Sequence, residues 1–205
     1  MRSRGVKLFL GTNSHFEYMN VIMHATFGEN WQSLFDLKLA NCRKPYFFRS
    51  TAYPFYAVDV SKKDFKGTEI KQGADLNADD AFLEGNANTA HEYFRSTLGK
   101  DAVRVAYFGD HFWSDAHASA TFQPQGTPAQ PKWDGIAVLE EMWWIDNESS
   151  EGSDPLLIDN SRFWGDSFFF DTVNDQKVRN YFMAELDKVA RYAVPFVKNI
   201  KRLIK

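Results

Sequence analysis

The sequence predicts an α/β protein built on a mainly parallel sheet, and three observations carry that prediction. Lys7-Leu8-Phe9-Leu10, Val103-Arg104-Val105-Ala106-Tyr107-Phe108 and Trp133-Asp134-Gly135-Ile136-Ala137-Val138-Leu139 are near-continuous apolar runs, the pattern of strands covered on both faces. Stretches with helical periodicity follow or separate them. Polar groups gather just past the strand ends, where ligands collect in open α/β sheets.

Taken in order, the first run ends in Gly11-Thr12-Asn13-Ser14, whose hydroxyls suit the cap of a helix beginning near His15. Phe16, Met19, Ile22, Met23 and Phe27 give that helix an apolar face, and Gly28 stops it. Trp31 to Phe35 reads as a second short helical turn. Phe35 to Cys42 alternates and reads as a strand, which Arg43-Lys44-Pro45 ends because proline offers no backbone donor. Tyr53 to Val58 reads as a short strand inside an irregular insertion spanning about 49–85, with Lys62 to Asp80 a polar surface segment. A helix starts at Asn88, with Ala90, Tyr93, Phe94 and Leu98 on one face and Gly99 past its end. The strand at 103–108 comes next, then a short helix over Ser114 to Ala120 and a Pro-, Gly- and Gln-rich loop over Gln123 to Pro131. The strand from Trp133 ends in Glu140-Glu141, and an acidic polar loop covers Asn147 to Asp154.

From about Gln176 the spacing of Phe182, Leu186, Val189, Ala193, Phe196, Ile200 and Leu203 predicts a helix, interrupted at Pro195. Its basic end suits a membrane surface or a partner helix. It equally suits a packing helix with solvated lysines, the ordinary role of such a stripe. The division expected is a core at 1–145 and a C-terminal extension at 146–205.

The chain has 205 residues and a net charge of -3, without the basic footprint of a nucleic-acid binder. Cys42 is the only cysteine, which fits a reducing, cytoplasmic compartment. No apolar run approaches the about 20 residues of a membrane span.

Gly109-Asp110-His111-Phe112-Trp113-Ser114-Asp115 places two acids past the 103–108 strand. A carboxylate there can hold a hard divalent cation; Gly-Asp is also the pattern of a turn whose Asp caps a helix. Thr12-Asn13-Ser14 can bind phosphate oxygens or cap a helix. Lys44-Pro45 can present a cation or form a surface turn. Together, a hydroxyl, an amide, a cation and paired acids at strand ends suit a phosphate with Mg2+, because phosphoryl transfer demands mainly positioning and charge neutralisation.

Leu8-Phe9-Leu10-Gly11-Thr12-Asn13-Ser14, Phe35-Asp36, Lys44-Pro45-Tyr46-Phe47-Phe48, and Tyr107-Phe108-Gly109-Asp110-His111 with Asp115 resemble the haloacid dehalogenase (HAD) superfamily, within it the cytosolic purine 5′-nucleotidase group. Glu84-Gly85-Asn86-Ala87 and Trp164-Gly165-Asp166-Ser167-Phe168-Phe169 extend the match, which covers about Lys7 to Val173. The resemblance implies a partial HAD-like Rossmannoid three-layer sandwich. It implies that Thr12 and Asn13 bind phosphoryl oxygens and that Lys44 stabilises the phosphoryl group. Asp110 becomes a Mg2+ ligand, and Asp115 its partner acid, either ligand or support. The implied reaction is dephosphorylation of a nucleoside monophosphate through an aspartyl-phosphate.

The family's first motif, Asp-x-Asp at the end of a first strand, has no counterpart: no such pair follows an apolar strand here. The chain thus resembles the C-terminal part of such an enzyme, lacking the nucleophile, the central first strand and the cap insertion. It is expected to be inactive alone. The alternative is a non-catalytic regulatory or binding fragment, a pseudoenzyme. The expected partners are a phosphorylated small molecule and, through the open sheet, a second or full-length copy of the chain.

Without a central strand, apolar backbone in mid-sheet lacks pairing. The isolated chain is therefore expected to unfold broadly or aggregate on heating. A sharp, reversible calorimetric transition with no partner added counts against this.

Overall fold

The computed structural model describes residues 5–122, 133–140, 170–174 and 176–194. They form a mixed α/β fold with mainly parallel sheets, as the sequence predicts and as a partial HAD-like core requires. The chain divides into two compact units, 1–104 with 122–132, and 105–121 with 133–205.

The first unit holds a sheet of order β1-β2-β5-β3-β4. Its strands are β1 (Phe9–Gly11), β2 (Leu37–Ala40), β3 (Phe55–Val58), β4 (Lys66–Ile70) and β5 (Ala81–Glu84). β1, β2 and β5 run parallel, while β3 pairs antiparallel with β5 and β4. α1 (Phe16–Phe27) crosses from β1 to β2. Its Met19 packs with Trp31, Ala40 and Leu83, and the Trp31 indole donates to Asn20 Oδ1 at 3.0 Å. α2 (Tyr46–Arg49) follows β2, and α3 (Ala87–Leu98) follows β5. Asn86 caps α3 by accepting from Thr89 N–H, and Gly99 closes it in the left-handed conformation.

Several expectations change here. α1 is capped at His15 without a side-chain bond; the Thr12 hydroxyl instead accepts from Ser14 N–H at 3.1 Å. The irregular insertion at 49–85 contains three strands. β5 is central and wholly buried, and Lys66–Ile70 is an ordered edge strand within the segment expected to be surface loop. Gly85 shows why the chain turns tightly after β5: its φ is +83°, and a Cβ there would sit 2.0 Å from the Phe55 ring. β2 does not alternate. All four of its residues are buried, Lys38 included, because parallel neighbours flank it on both sides.

The second unit carries a parallel sheet of order β10-β7-β6, from β6 (Ala106–Gly109), β7 (Asp134–Val138) and β10 (Tyr192–Val194). A widened helical turn, Phe112–His117, runs into α4 (Ala118–Thr121). β8 (Phe170–Val173) and β9 (Gln176–Arg179) form a hairpin, and α5 (Tyr181–Val189) leads to β10. The long C-terminal helix expected from Gln176 is thus a strand, a helix of nine residues and a strand. Asn180 starts α5 by accepting from Met183 N–H, and Leu186 packs on Ala116, Ala137 and Leu139. Ala193, assigned to the helical stripe, lies in β10. The acidic loop at 147–154, the Trp164 block, and Phe196, Ile200 and Leu203 lie outside the described residues. β6 is not covered on both faces, since Ala106 is exposed and Tyr107 buried. β1 is a terminal strand of the first unit's sheet, and β6 of the second unit's.

Lys38 is 1% exposed and its ammonium donates to the Ala78 carbonyl. Burial lowers its pKa from 10.5, against the raising effect of Asp79, Asp80 and Asp36. Between the lowered value and 10.5 the unfolded chain holds a proton that the folded chain lacks, so this group adds stability as pH rises through that window. Relative to Lys38→Met, the wild-type chain is expected to gain urea-unfolding free energy as pH is raised from neutral toward 10.5. A parallel pH dependence for both proteins defeats this account.

Candidate functional site

In the first unit the predicted residues meet at the carboxyl ends of β1 and β2. Thr12 N–H bonds Leu39 O at 3.0 Å and Cys42 N–H bonds Thr12 O at 2.9 Å, so the two strands stay paired into their loops. Asn13 then holds Lys44 by the backbone: its Oδ1 accepts from Lys44 N–H at 2.6 Å, and its Nδ2 donates to Lys44 O at 3.0 Å. The half-buried Lys44 ammonium donates to Gly11 O at 3.3 Å. Asn13 therefore clamps the backbone of the cation-bearing residue, a contact the sequence did not disclose; its motif suggested phosphate contact or a helix cap. Thr12 lies beside that ammonium's carbonyl anchor, one residue past Gly11. The turn that presents Lys44 has Asn41 and Arg43 at positive φ, +50° and +55°, a region uncommon for side-chain-bearing residues.

Asp110 and Asp115 lie together in the second unit, at the carboxyl end of β6. Asp110 is exposed. Asp115 is buried, and both its oxygens are engaged: Oδ1 accepts from the Tyr107 hydroxyl and Oδ2 from His111 N–H, each at 3.2 Å. Asp115 thereby ties the loop that carries Asp110 back to its own strand. The widened turn makes this possible, because Asp115 N–H and Ala116 N–H both reach His111 O, at 3.0 and 3.3 Å. Such turns recur at functional positions. His111 Nδ1 accepts from Ser114 N–H at 3.2 Å and completes the cap. A Cβ on Gly109 would fall 2.3 Å from Asp115 Cβ, so the glycine is what lets the second acid approach.

A hard cation such as Mg2+ suits one exposed carboxylate with waters filling other positions. Asp110 fits that description, and Asp115 fits a supporting role. Among the described residues no three His, Cys, Asp or Glu side chains gather as a metal site. A cavity of about 420 Å³, lined by Lys7, Phe35, Asp36 and Asp79, sits at the amino ends of β1, β2 and β5. That is the sheet edge opposite Lys44, so the cavity is unrelated to this chemistry.

A sequence model of the 5′ nucleotidase family matches residues 1–142. The chain belongs to that family. Its similarity extends to 5′-nucleotidase domain-containing protein 1 of Bos taurus, 24% identical over 99% of this chain and 46% of the relative. The Homo sapiens protein of that name is 25% identical over 99% of this chain and 47% of the relative. Human 5′-nucleotidase domain-containing protein 2 is 33% identical over 55% of this chain and 20% of its own length. The chain thus spans about half the length of the first two relatives. Within the family match, Glu84, Arg43 and Tyr107 are site-bordering residues that sequence reasoning did not single out for function. The signal for Glu84 was an acid closing the apolar run Ala81-Phe82-Leu83, directly before Gly85-Asn86.

Gly109→Ala is expected to push Asp115 off Tyr107 and His111 and to destabilise the chain by about 1–3 kcal/mol, as overpacking does. Chemical denaturation measures the loss, and an unchanged midpoint removes the close-approach argument.

Proposed function

We propose that this chain holds the phosphoryl group and part of the metal site of a magnesium-dependent phosphomonoester hydrolase acting on nucleoside monophosphates in the cytoplasm. The observation that carries the reading is the Lys44 ammonium, fixed at the carboxyl ends of two parallel strands by Asn13 and Gly11, in a member of the 5′ nucleotidase family. Lys44 and the Thr12 hydroxyl bind phosphoryl oxygens, and Asn13 acts by orienting Lys44. Asp110 supplies a carboxylate to Mg2+, held in place through Asp115. When bound, Mg2+ neutralises charge on the phosphoryl oxygens.

Hydrolysis through a covalent intermediate needs a carboxylate nucleophile, and no Asp-x-Asp follows an apolar strand in these 205 residues. The chain alone accordingly binds and does not turn over. The same observation favours a second reading, a non-catalytic member that retains the phosphate and Mg2+ contacts for regulation. Neither reading involves nucleic acid, and among the described residues no helix is long and apolar enough to cross a membrane.

Calorimetric titration with orthophosphate in Mg2+ is expected to show binding that Lys44→Met weakens about tenfold or more, the scale of a charge-assisted contact. Asp110→Asn is expected to abolish the Mg2+ dependence of that binding. Absence of phosphate binding defeats both readings. Nucleoside monophosphate hydrolysis by the wild-type chain, lost in Asp110→Ala, overturns the claim that the nucleophile is lacking.

A further inference from the structure

Glu84 closes β5 with a side chain only 4% exposed, and it carries two cations on one oxygen. Arg43 Nη2 donates to its Oε1 at 2.6 Å and Lys66 Nζ lies 2.7 Å from the same atom. These are short, charge-assisted contacts. The residue is held in place by its surroundings. Its own φ is +62°, the following Gly85 N–H bonds Pro54 O at 3.1 Å, and Asn86 Nδ2 donates to Tyr53 O at 2.8 Å. Lys66 belongs to β4, with its ammonium 4.6 Å from the centre of the Tyr56 ring. The Arg43 guanidinium lies 5.4 Å from the centre of the Tyr53 ring.

Arg43 is the residue before Lys44. It stands in the left-handed region, which a side-chain-bearing residue occupies only when its surroundings hold it there. The peptide joining Arg43 to Lys44 is therefore fixed from two sides. On one side Asn13 Oδ1 takes the Lys44 N–H; on the other Glu84 takes the Arg43 side chain. Rotation of that peptide plane would swing the Lys44 side chain away from Gly11 O, its present anchor.

We propose that Glu84 is a positioning residue for Lys44: it pins Arg43 in the left-handed conformation and so sets where the ammonium meets a phosphoryl oxygen. Lys66 joins the β3–β4 hairpin to the same carboxylate, which makes the hairpin part of the cation's support. The proposal rests on the reading of Lys44 as the phosphate-binding cation. It adds that the geometry of this cation is governed from β5 as well as from the β1 loop. A buried acid serving stability alone would not act through Arg43 on its neighbour.

The test uses the full 205-residue chain and follows the Lys44 backbone amide in 1H–15N correlation spectra, alongside orthophosphate titration in Mg2+. Glu84→Gln and Arg43→Gln are each expected to move the Lys44 amide resonance to a common position and to weaken orthophosphate about tenfold or more, as misplaced catalytic groups do. The double variant is expected to go no further than either single one. Arg43→Lys, which keeps the charge, is expected to recover part of both effects. If Glu84→Gln fails to fold, Arg43→Gln decides, since that side chain is 44% exposed and its loss leaves Lys66 on the acid. An unmoved Lys44 amide and unchanged affinity in a folded single variant overturn the proposal, as does full additivity in the double variant. Coupled amide shifts with no orthophosphate binding by the wild-type chain uphold the coupling and defeat the phosphate reading instead.

Discussion

The parallel pairing of β2 with β1 on one side and β5 on the other is the constraint on which the first unit depends. It buries Leu37 to Ala40 on both faces and brings three strand ends to one edge. From there the chemistry is a matter of short loops. Gly11 to Asn13 leaves β1, Asn41 to Lys44 leaves β2, and Glu84 closes β5. The β1 loop and Glu84 both bond to the β2 turn that bears the cation. No long or mobile arm is needed to place Lys44, because a parallel sheet gives all its carboxyl ends the same direction.

The acidic loop of the second unit is organised in the same way with different means. At the end of β6 the requirement is that one carboxylate stay in water while its neighbour is buried. Gly109 admits Asp115, the Tyr107 hydroxyl and His111 N–H satisfy its oxygens, and Asp110 is left exposed. Burying an acid with both oxygens hydrogen-bonded avoids the penalty of an unsatisfied polar group. Both loops thus use one polar side chain to hold backbone at a strand end: Asn13 clamps Lys44, and Asp115 takes the N–H of His111, the residue after Asp110.

Much of this was legible from sequence. Gly109 and the acid spacing located the second loop, and Gly11-Thr12-Asn13 with Lys44 located the first. What sequence left out follows from tertiary effects. β5 is only four residues long and follows Asp79-Asp80, so its run carried too little signal against a polar background. The alternation of Phe35 to Cys42 did not disclose that Lys38 is buried, because two parallel neighbours cover β2. The C-terminal stripe failed because Ala193 keeps apolar spacing beyond the helix into β10, while Asn180 marks the real helix start. The division of roles between Asn13 and Thr12 could not be read at all, since an amide that clamps a backbone and one that binds phosphate have the same sequence pattern.

The placement of buried charge separates support from chemistry. Lys38 and Asp36 lie toward the amino ends of the first unit's strands, where Lys7 pairs with Asp36 at 3.0 Å and Lys38 meets a carbonyl. Those contacts tie the loops together at the amino ends of the strands. At the opposite edge Glu84 takes both Arg43 and Lys66. Lys44 donates to the Gly11 carbonyl, and the Asn13 amide clamps its backbone. Position therefore separates the two neighbouring cations: Arg43 is tied to the buried Glu84 at the end of β5, while Lys44, one residue on, is held at the carboxyl ends of β1 and β2, the edge where ligands collect in parallel sheets.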